Sequence, residues 1–547
     1  MNVARESKNL LLTKALPEPI VLLMVTLLAM LAFLPGLGAY RMLDPTDSFF
    51  QETAREMMEL RHYVTPLFNY SDWLDKPALP FLLIVACYKL FGISAWAARL
   101  PSALSGVLLV IWTYWSARKF LGRQTAFLTA LVLCSSPLFS VVGHVALSDE
   151  PLSLFFGVAM LGFAQALIFR QRNNLFLTYV NLTLAVLCKG PIGLVLSLSI
   201  IFIFLIVTSD GYKTIWKKIE YLKPWYGIFI LSLGSLPYYI LAHATTGGAF
   251  TQAFFLRQNL GRFAGTVNHQ EPFWWYLPVF LGGFLPWTVS LLTSGTWFKH
   301  LWLERKNDNK RHIFLIFCSV WVIFILAFFS AIPTKLPTYI VLISPALAII
   351  VGAYMEYLVT NKKVSSMLIT ALVLLVCAGV AIIIVLKVMP ILPGVSLFIL
   401  LSIIATSGLL ILHMFLIIKG RFDKAASALI AAAYLGCALL VPLFFCQFYE
   451  KYQAGLDRLI ETARVRNANL ATLFSPVPSA TFSYGKKIEN INTLAELTTF
   501  CKTNASRHWL LARDNCLNIP QLRAKEHTID NAGRWYLLSV DNYLKER

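Results

Sequence analysis

Acidic residues are scarce in this chain. Its 547 residues hold 28 Asp and Glu against 47 Lys and Arg, and charged residues of all kinds make up only 14%. A soluble domain carries about 25% charge and about 45–50% apolar residues, so a soluble enzyme is excluded. The nine cysteines form no CxxC pair and no Cys/His cluster at zinc-finger spacing, which removes a structural zinc module. There is no P-loop, no GxSxG and no HExxH, so nucleotide hydrolysis, serine-esterase and zinc-protease chemistry have no support. Internal repeats and low-complexity linkers are also lacking. The first apolar run, about Ile20 to Leu37, exceeds the core of about 7–15 residues of a cleavable signal and is followed by no A-x-A-like site. It is predicted to be an uncleaved first transmembrane helix.

What is present is apolar. Hydrophobic residues make up 57% of the chain and the mean hydropathy is +0.66. The net charge of +19 is scattered over short turns and forms no single stripe, so anionic lipid head groups suit it better than nucleic acid. Thirteen apolar segments are predicted to span a membrane, each needing about 20 residues. They lie near 19–38, 95–116, 124–142, 150–169, 174–188, 191–208, 226–243, 273–294, 312–331, 338–359, 366–386, 396–418 and 425–446. The fifth and sixth are separated only by Lys189-Gly190-Pro191. Basic loops alternate with motif-bearing ones: Arg118, Lys119 and Arg123; Arg170 and Arg172; Lys213, Lys217, Lys218 and Lys223; Lys299 to Arg311; Lys362 and Lys363; Lys419 to Lys424. Short Lys/Arg-rich loops stay in the cytoplasm. The motif-bearing loops, and the C-terminus after an odd number of spans, therefore face outward.

Residues 39–94 are predicted to form a long external loop. Within it, 48–61 reads as an amphipathic surface helix capped by Ser48, and 77–91 as an interfacial apolar stretch. From about Tyr449 the composition changes to short apolar runs (Ala480–Tyr484, Trp509–Leu511, Trp535–Leu538) between helical stretches such as Asn492–Lys502. That pattern predicts a small α/β domain over 449–547, in which Cys501 and Cys516 are either a disulfide or two free thiols. The fold class is thus an all-α polytopic membrane domain, 1–448, with a small C-terminal α/β domain.

Several external residues have chemical potential. Asp44 and Asp47 flank Pro45-Thr46 beside the first helix and suit a base or a cation site as well as a helix cap and solvated turn. Lys76, Lys189 and Lys335 sit at predicted membrane boundaries, where a charge is either snorkelling or binding an anion. Together with Arg262 they could hold a lipid-linked phosphate, for which the compact lysine charge is suited. Asp149 is either a helix cap or a second active-site carboxylate. The lone His269 and the aromatic belt after it signify little by themselves. Polar residues collected at one edge argue against a transporter, whose site lies at the midplane between repeats.

These motifs, in this order, resemble a family. Asp44-Pro45-Thr46-Asp47, Glu52 to Met57, Asp75-Lys76-Pro77, Leu147-Ser148-Asp149-Glu150-Pro151, Lys189-Gly190, Arg262-Phe263, His269 to Trp274 and Lys335 to Tyr339 are similar to the membrane glycosyltransferases of the C-type fold. The superfamily is that of the dolichyl-phosphate-mannose–protein mannosyltransferases, and the branch is the lipid A 4-amino-4-deoxy-L-arabinose transferases. The resemblance implies an inverting enzyme of the bacterial inner membrane with a periplasmic active site and tail. It implies a sugar moved from undecaprenyl phosphate to lipid A or a related periplasmic acceptor. Another glycan or protein as acceptor, or a carrier flippase, are the alternatives. It implies Asp47 as the catalytic carboxylate with Asp44 in reserve, since the branch's Pro-Asp-Glu reads Pro45-Thr46-Asp47 here. Lys76, Lys189, Arg262 and Lys335, with Arg55 and Tyr339, are implied donor-phosphate contacts, and Asp149 a further cavity acid. No cofactor is required, although a zinc near Asp75 and His269 is implied by the branch.

Overall fold

The computed structural model describes residues 16–261, 270–303, 309–388, 393–474, 476–502, 507–514 and 527–540. Two compact units emerge: residues 1–37, 74–80 and 99–443 form the first, and 38–73, 81–98 and 444–547 the second. The chain is a multi-pass membrane protein. Among the described residues, eight helices are long and apolar enough to cross a bilayer, or nine if one bent pair is a single span, and four shorter apolar helices accompany them.

The first unit is helical. Helices α1 (Glu18–Phe33), α4 (Ala95–Leu121), α7 (Asp149–Phe169), α8 (Leu175–Lys189), α9 (Ile192–Val207) and α11 (Pro224–Thr245) follow the predicted spans within a few residues, and a short helix, α10 (Tyr212–Tyr221), forms in the basic loop between the last two. The 124–142 segment bends by 63° between α5 (Arg123–Cys134) and α6 (Pro137–Gly143). There the hydroxyls of Ser135 and Ser136 donate to carbonyls of the preceding turn, and Pro137 opens the next helix. The predicted 273–294 span is also broken, into Tyr276–Gly283 and Trp287–Leu292, with Gly282, Gly283 and Pro286 at the break. Later helices cover Lys310–Ala331, Ser344–Thr360, Val364–Val388, Pro393–Ile418 and Phe422–Tyr452. The core is a continuous aromatic and aliphatic cluster, in which Phe120 stacks on Phe314 at 3.8 Å and Trp287 and Trp321 are fully buried.

Gly190 decides the most uncertain boundary. It stops α8 with φ +81°, and a Cβ there would meet the Phe254 ring at 2.4 Å. A left-handed backbone and a close approach both demand glycine. The fifth and sixth segments are accordingly separate helices.

In the second unit, α2 (Thr46–Glu59) differs from its prediction. It starts two residues early after Pro45, no side chain caps it, and its polar face is buried along with its apolar one, including Asp47, Gln51, Glu52, Arg55 and Glu56. It packs within the unit instead of laying one face on a membrane. A short hairpin follows, β1 (Leu67–Phe68) with β2 (Ser71–Asp72). The stretch predicted as interfacial becomes α3 (Leu79–Phe91), which crosses the boundary between the units. The tail builds a five-stranded sheet in the order β4-β3-β5-β7-β6, from β3 (Asn469–Leu473), β4 (Glu489–Ile491), β5 (His508–Arg513), β6 (Thr528–Ala532) and β7 (Trp535–Ser539). β3 runs parallel to β4 and β5, whereas β7 pairs antiparallel with β5 and β6. Strand alternation sends Leu510 and Ala512 to one face, with Leu497 and Phe500, and Trp509 and Leu511 to the other, with Leu459 and Ile460. Asn69 of the hairpin brackets Ile488, accepting from its N–H at 2.8 Å and donating to its carbonyl at 2.6 Å. Cys501 is half-buried, with its Sγ 3.6 Å from Val540 O; Cys516 lies outside the described residues.

Candidate active site

In the first unit a cavity of about 90 Å³ gathers four of the sequence's candidates: Asp75, Lys76, Asp149 and Lys189, with Tyr339 as a wall. Phe254, Gln258, Phe329 and Thr334 complete much of the lining. A water needs about 10–15 Å³ on this measure, so the space suits a group the size of a phosphate.

Helix ends position the charges. Asp149 is the first residue of α7, where the N-terminal dipole favours an anion, and Lys189 is the last of α8, where the C-terminal dipole favours a cation. Their side chains meet, with Lys189 Nζ 2.6 Å from Asp149 Oδ1, and both are largely buried. Lys189 Nζ also lies 4.7 Å from the centre of the Tyr339 ring. Lys76 acts electrostatically on Asp149 as well, and the Thr338 side chain hydrogen-bonds it. Two carboxylates, Asp75 and Asp149, and two ammonium groups, Lys76 and Lys189, therefore meet at the cavity. Lysines so placed bind an anion and stabilise negative charge developing on a leaving group.

Lys335 is elsewhere than predicted. It is 2% exposed and does not line the cavity. Its ammonium donates to the carbonyl of Glu271 at 3.0 Å and to that of Ile332, and burial lowers its pKa. Glu271 N–H also donates to Pro333 O at 3.1 Å, so Lys335 clasps the strand-like pairing of Gln270 with Thr334. A buried ammonium needs acceptors, and this one finds them in the backbone. Arg262 and His269 lie outside the described residues.

The second unit holds the remaining candidates. Asp47 is 2% exposed; its Oδ2 accepts from Gln51 Nε2 at 2.9 Å and from Leu43 N–H at 3.2 Å. Asp44 is saturated. Its Oδ1 accepts from Ser48 Oγ and from Ser479 N–H at 3.1 Å, and its Oδ2 from Gln453 Nε2 at 3.0 Å and from Ser479 Oγ. The predicted Ser48 cap is thus spent on Asp44. Arg55 is held by acidic partners. Its guanidinium grips Glu52 through two 2.8 Å bonds, reaches Tyr70 Oη at 3.1 Å and pairs with Glu59, so two carboxylates already neutralise it. These partners hold its pKa above the ordinary arginine value, against the effect of burial.

Sequence reasoning missed several groups. Glu150 is fully buried and neither carboxylate oxygen has a hydrogen-bond partner among the described residues. Gln453 and Ser479 reach Asp44 from 409 and 435 residues away, which no local pattern encodes. As for a metal, no group of three His, Cys, Asp or Glu side chains able to hold one occurs among the described residues. Of the two residues implied as zinc ligands, Asp75 lies beside Lys76, and His269 is outside the described residues.

Comparison with known proteins agrees with this architecture. Residues 75–238 match the family model described as dolichyl-phosphate-mannose-protein mannosyltransferase. An uncharacterized protein of Aquifex aeolicus is 27% identical over 360 residues, covering 66% of this chain and 68% of its own. The undecaprenyl phosphate-alpha-4-amino-4-deoxy-L-arabinose arabinosyl transferase of Yersinia pestis is 29% identical over 358 residues, 64% of this chain. The match spans only 62% of that relative's length. The crystal structure of ArnT from Cupriavidus metallidurans bound to undecaprenyl phosphate superposes with a TM-score of 0.79 at 20% identity, over 96% of this chain and 98% of that one. The chain thus has the C-type fold of the membrane glycosyltransferases of the dolichyl-phosphate-mannose–protein mannosyltransferase superfamily.

Proposed function

We propose that the protein is an inverting glycosyltransferase that moves 4-amino-4-deoxy-L-arabinose, or a related amino sugar or hexose, from undecaprenyl phosphate to lipid A or a related acceptor. The reaction takes place on the periplasmic side of the bacterial inner membrane. The observation that carries it is the cavity where Lys76 and Lys189 surround Asp149, three charges that all lie in the segment matching the mannosyltransferase family. The arabinosyl transferase relatives and the undecaprenyl phosphate on the ArnT fold support the donor and the sugar.

An acceptor oxygen attacks the anomeric carbon while the bond from that carbon to the carrier phosphate breaks. Lys76 and Lys189 take the negative charge that returns to the phosphate. A lipid A phosphate is already anionic near neutral pH and needs positioning more than deprotonation; a hydroxyl acceptor needs a carboxylate base. Asp47 is the carboxylate for the reaction. It serves as base toward a hydroxyl, or steadies the positive charge on the sugar ring in the oxocarbenium-like transition state. No cofactor is needed for these steps.

The test is mass spectrometry of lipid A from cells lacking the gene, restored with it, and restored with Asp47→Asn. A sugar increment present only with the active gene is expected, and its mass separates pentosamine from hexosamine. Lipid A unchanged in all three would remove this acceptor.

A further inference from the structure

A second cavity in the first unit, of about 470 Å³, lies among α7, α8, α9, α10 and α11. Its walls are apolar, with Phe163, Leu194, Ile201, Leu205, Leu222 and Leu231 among them. It opens sideways: Leu198, Phe202 and Ile228 line it and are more than half exposed on the helix surface that faces lipid. A void of this size inside close-packed protein forfeits its packing contacts unless something fills it.

The chemistry of its floor identifies the occupant. Helix α10 turns Ile215 and Ile219 inward and leaves Lys213 and Lys217, one turn apart, exposed. Lys223 is exposed at the start of α11, while Lys218 is held on Thr208 O and Ser209 Oγ. Trp216 and Trp225 are 67% and 81% exposed, as befits anchors at a head-group layer. An apolar slot open to the bilayer and a cationic shelf beside it match an acyl chain below an anionic head group.

The cationic end of the slot is the end away from the reaction cavity. Ile192, at the start of α9, lines the cavity with Lys76 and Lys189, whereas residues from Leu194 to Leu205 line the slot, which runs along most of that helix toward α10. Leu205, at the end beside the lysines, lies about 20 Å along the helix from Ile192. The two cavities share no lining residue.

We propose that this cavity is a binding site for an anionic glycerophospholipid of the leaflet opposite the reaction cavity, its acyl chain between α9 and α11 and its head group on Lys213 and Lys217.

Native mass spectrometry of the full-length protein, titrated with phosphatidylglycerol, phosphatidylcholine or undecaprenyl phosphate, tests it. One phosphatidylglycerol is expected to bind at least about tenfold more tightly than phosphatidylcholine, and the Lys213→Glu/Lys217→Glu pair to remove that preference, since each surface lysine adds roughly fivefold toward an anionic head group. Leu198→Trp, which fills the slot, is expected to weaken both phospholipids together. Equal binding of the two phospholipids would overturn the proposal. So would affinity unchanged in both variants, or displacement of phosphatidylglycerol by stoichiometric undecaprenyl phosphate. The lysines are exposed, so the charge variant folds and decides the matter even where the tryptophan variant does not.

Discussion

Single charges do most of the work in this protein, and their partners separate chemistry from scaffolding. Lys189 and Asp149 form a buried pair across two helix ends. Removing one partner of such a pair costs about 3–5 kcal/mol, because the other is left charged in a poor solvent. Lys189→Ala is therefore expected to lower the melting temperature sharply and abolish undecaprenyl phosphate binding. In Lys189→Met/Asp149→Asn the melting temperature returns while binding does not. Calorimetry with a carrier-binding assay reads both, and recovered binding in the double variant would remove the pair from phosphate recognition. Glu56 offers a second test. It is buried, its Oε2 accepts from Tyr70 N–H at 2.8 Å, and burial, followed by its hydrogen bond to Glu52, pushes its pKa up to about 8. The folded state thus keeps a proton that the unfolded chain releases near pH 4.5. The stability this group adds is complete below about pH 4.5 and declines as pH rises toward 8. Glu56→Gln, which keeps the size and can donate to Glu52, is expected to flatten the fall in melting temperature over that window. An unaltered slope would assign the dependence to another group.

At the level of elements, α2 shows what a local pattern can and cannot say. Its length and helicity were legible from residues 48–61, yet its burial was not, because Glu52, Arg55, Glu56 and Tyr70 satisfy one another only once the chain is folded. The positions of most apolar spans were legible, since a long apolar run leaves a helix as its main option in lipid. Among the described residues, however, only eight helices, or nine with the bent pair, are long and apolar enough to cross a bilayer, against the thirteen expected. The errors fell where Gly282, Gly283 and Pro286 interrupt a run, and where Ala480–Tyr484, read as a short apolar run, forms the helix Pro478–Tyr484 behind a proline at its first position. Of the site, Lys76, Asp149 and Lys189 were legible because a charge inside an apolar stretch needs a reason. At Lys335 and Arg55 the sequence shows a charge but not the acceptors around it. Asp44 joins this group: with Ser479 and Gln453 it ties the turn before α2 to the tail helices of its own unit. Losing one partner of such a network costs about 1–3 kcal/mol per orphaned group. Asp44→Ala is expected to lower the melting temperature and reduce turnover only in part, and Ser479→Ala/Gln453→Ala to reproduce both effects. Asp47→Asn instead abolishes turnover at nearly unchanged stability. A complete loss in Asp44→Ala beside a normal melting temperature would move the catalytic carboxylate to Asp44.

For the molecule as a whole, the distribution of cations predicts its orientation. The loop of α10 carries Lys213, Lys217, Lys218 and Lys223, whereas the turns bearing Asp149, Lys189 and Thr334 hold few basic residues apart from the site's own. Because Lys and Arg are retained on the cytoplasmic side of short loops, the proposed topology has the residues around Lys213 facing inward and the reaction cavity facing the periplasm. The proposed topology also has the tail outside. Lys486 and Lys213 are both exposed, so single cysteines at these positions report on opposite sides. Lys486→Cys is expected to react with a membrane-impermeant maleimide in intact spheroplasts, and Lys213→Cys only after permeabilisation, each measured above the wild-type background of native thiols. Labelling of both before permeabilisation would mean leaky membranes, which a cytoplasmic marker protein detects. Labelling of Lys213→Cys alone would invert the topology, and with it the assignment of sugar transfer to the periplasmic face.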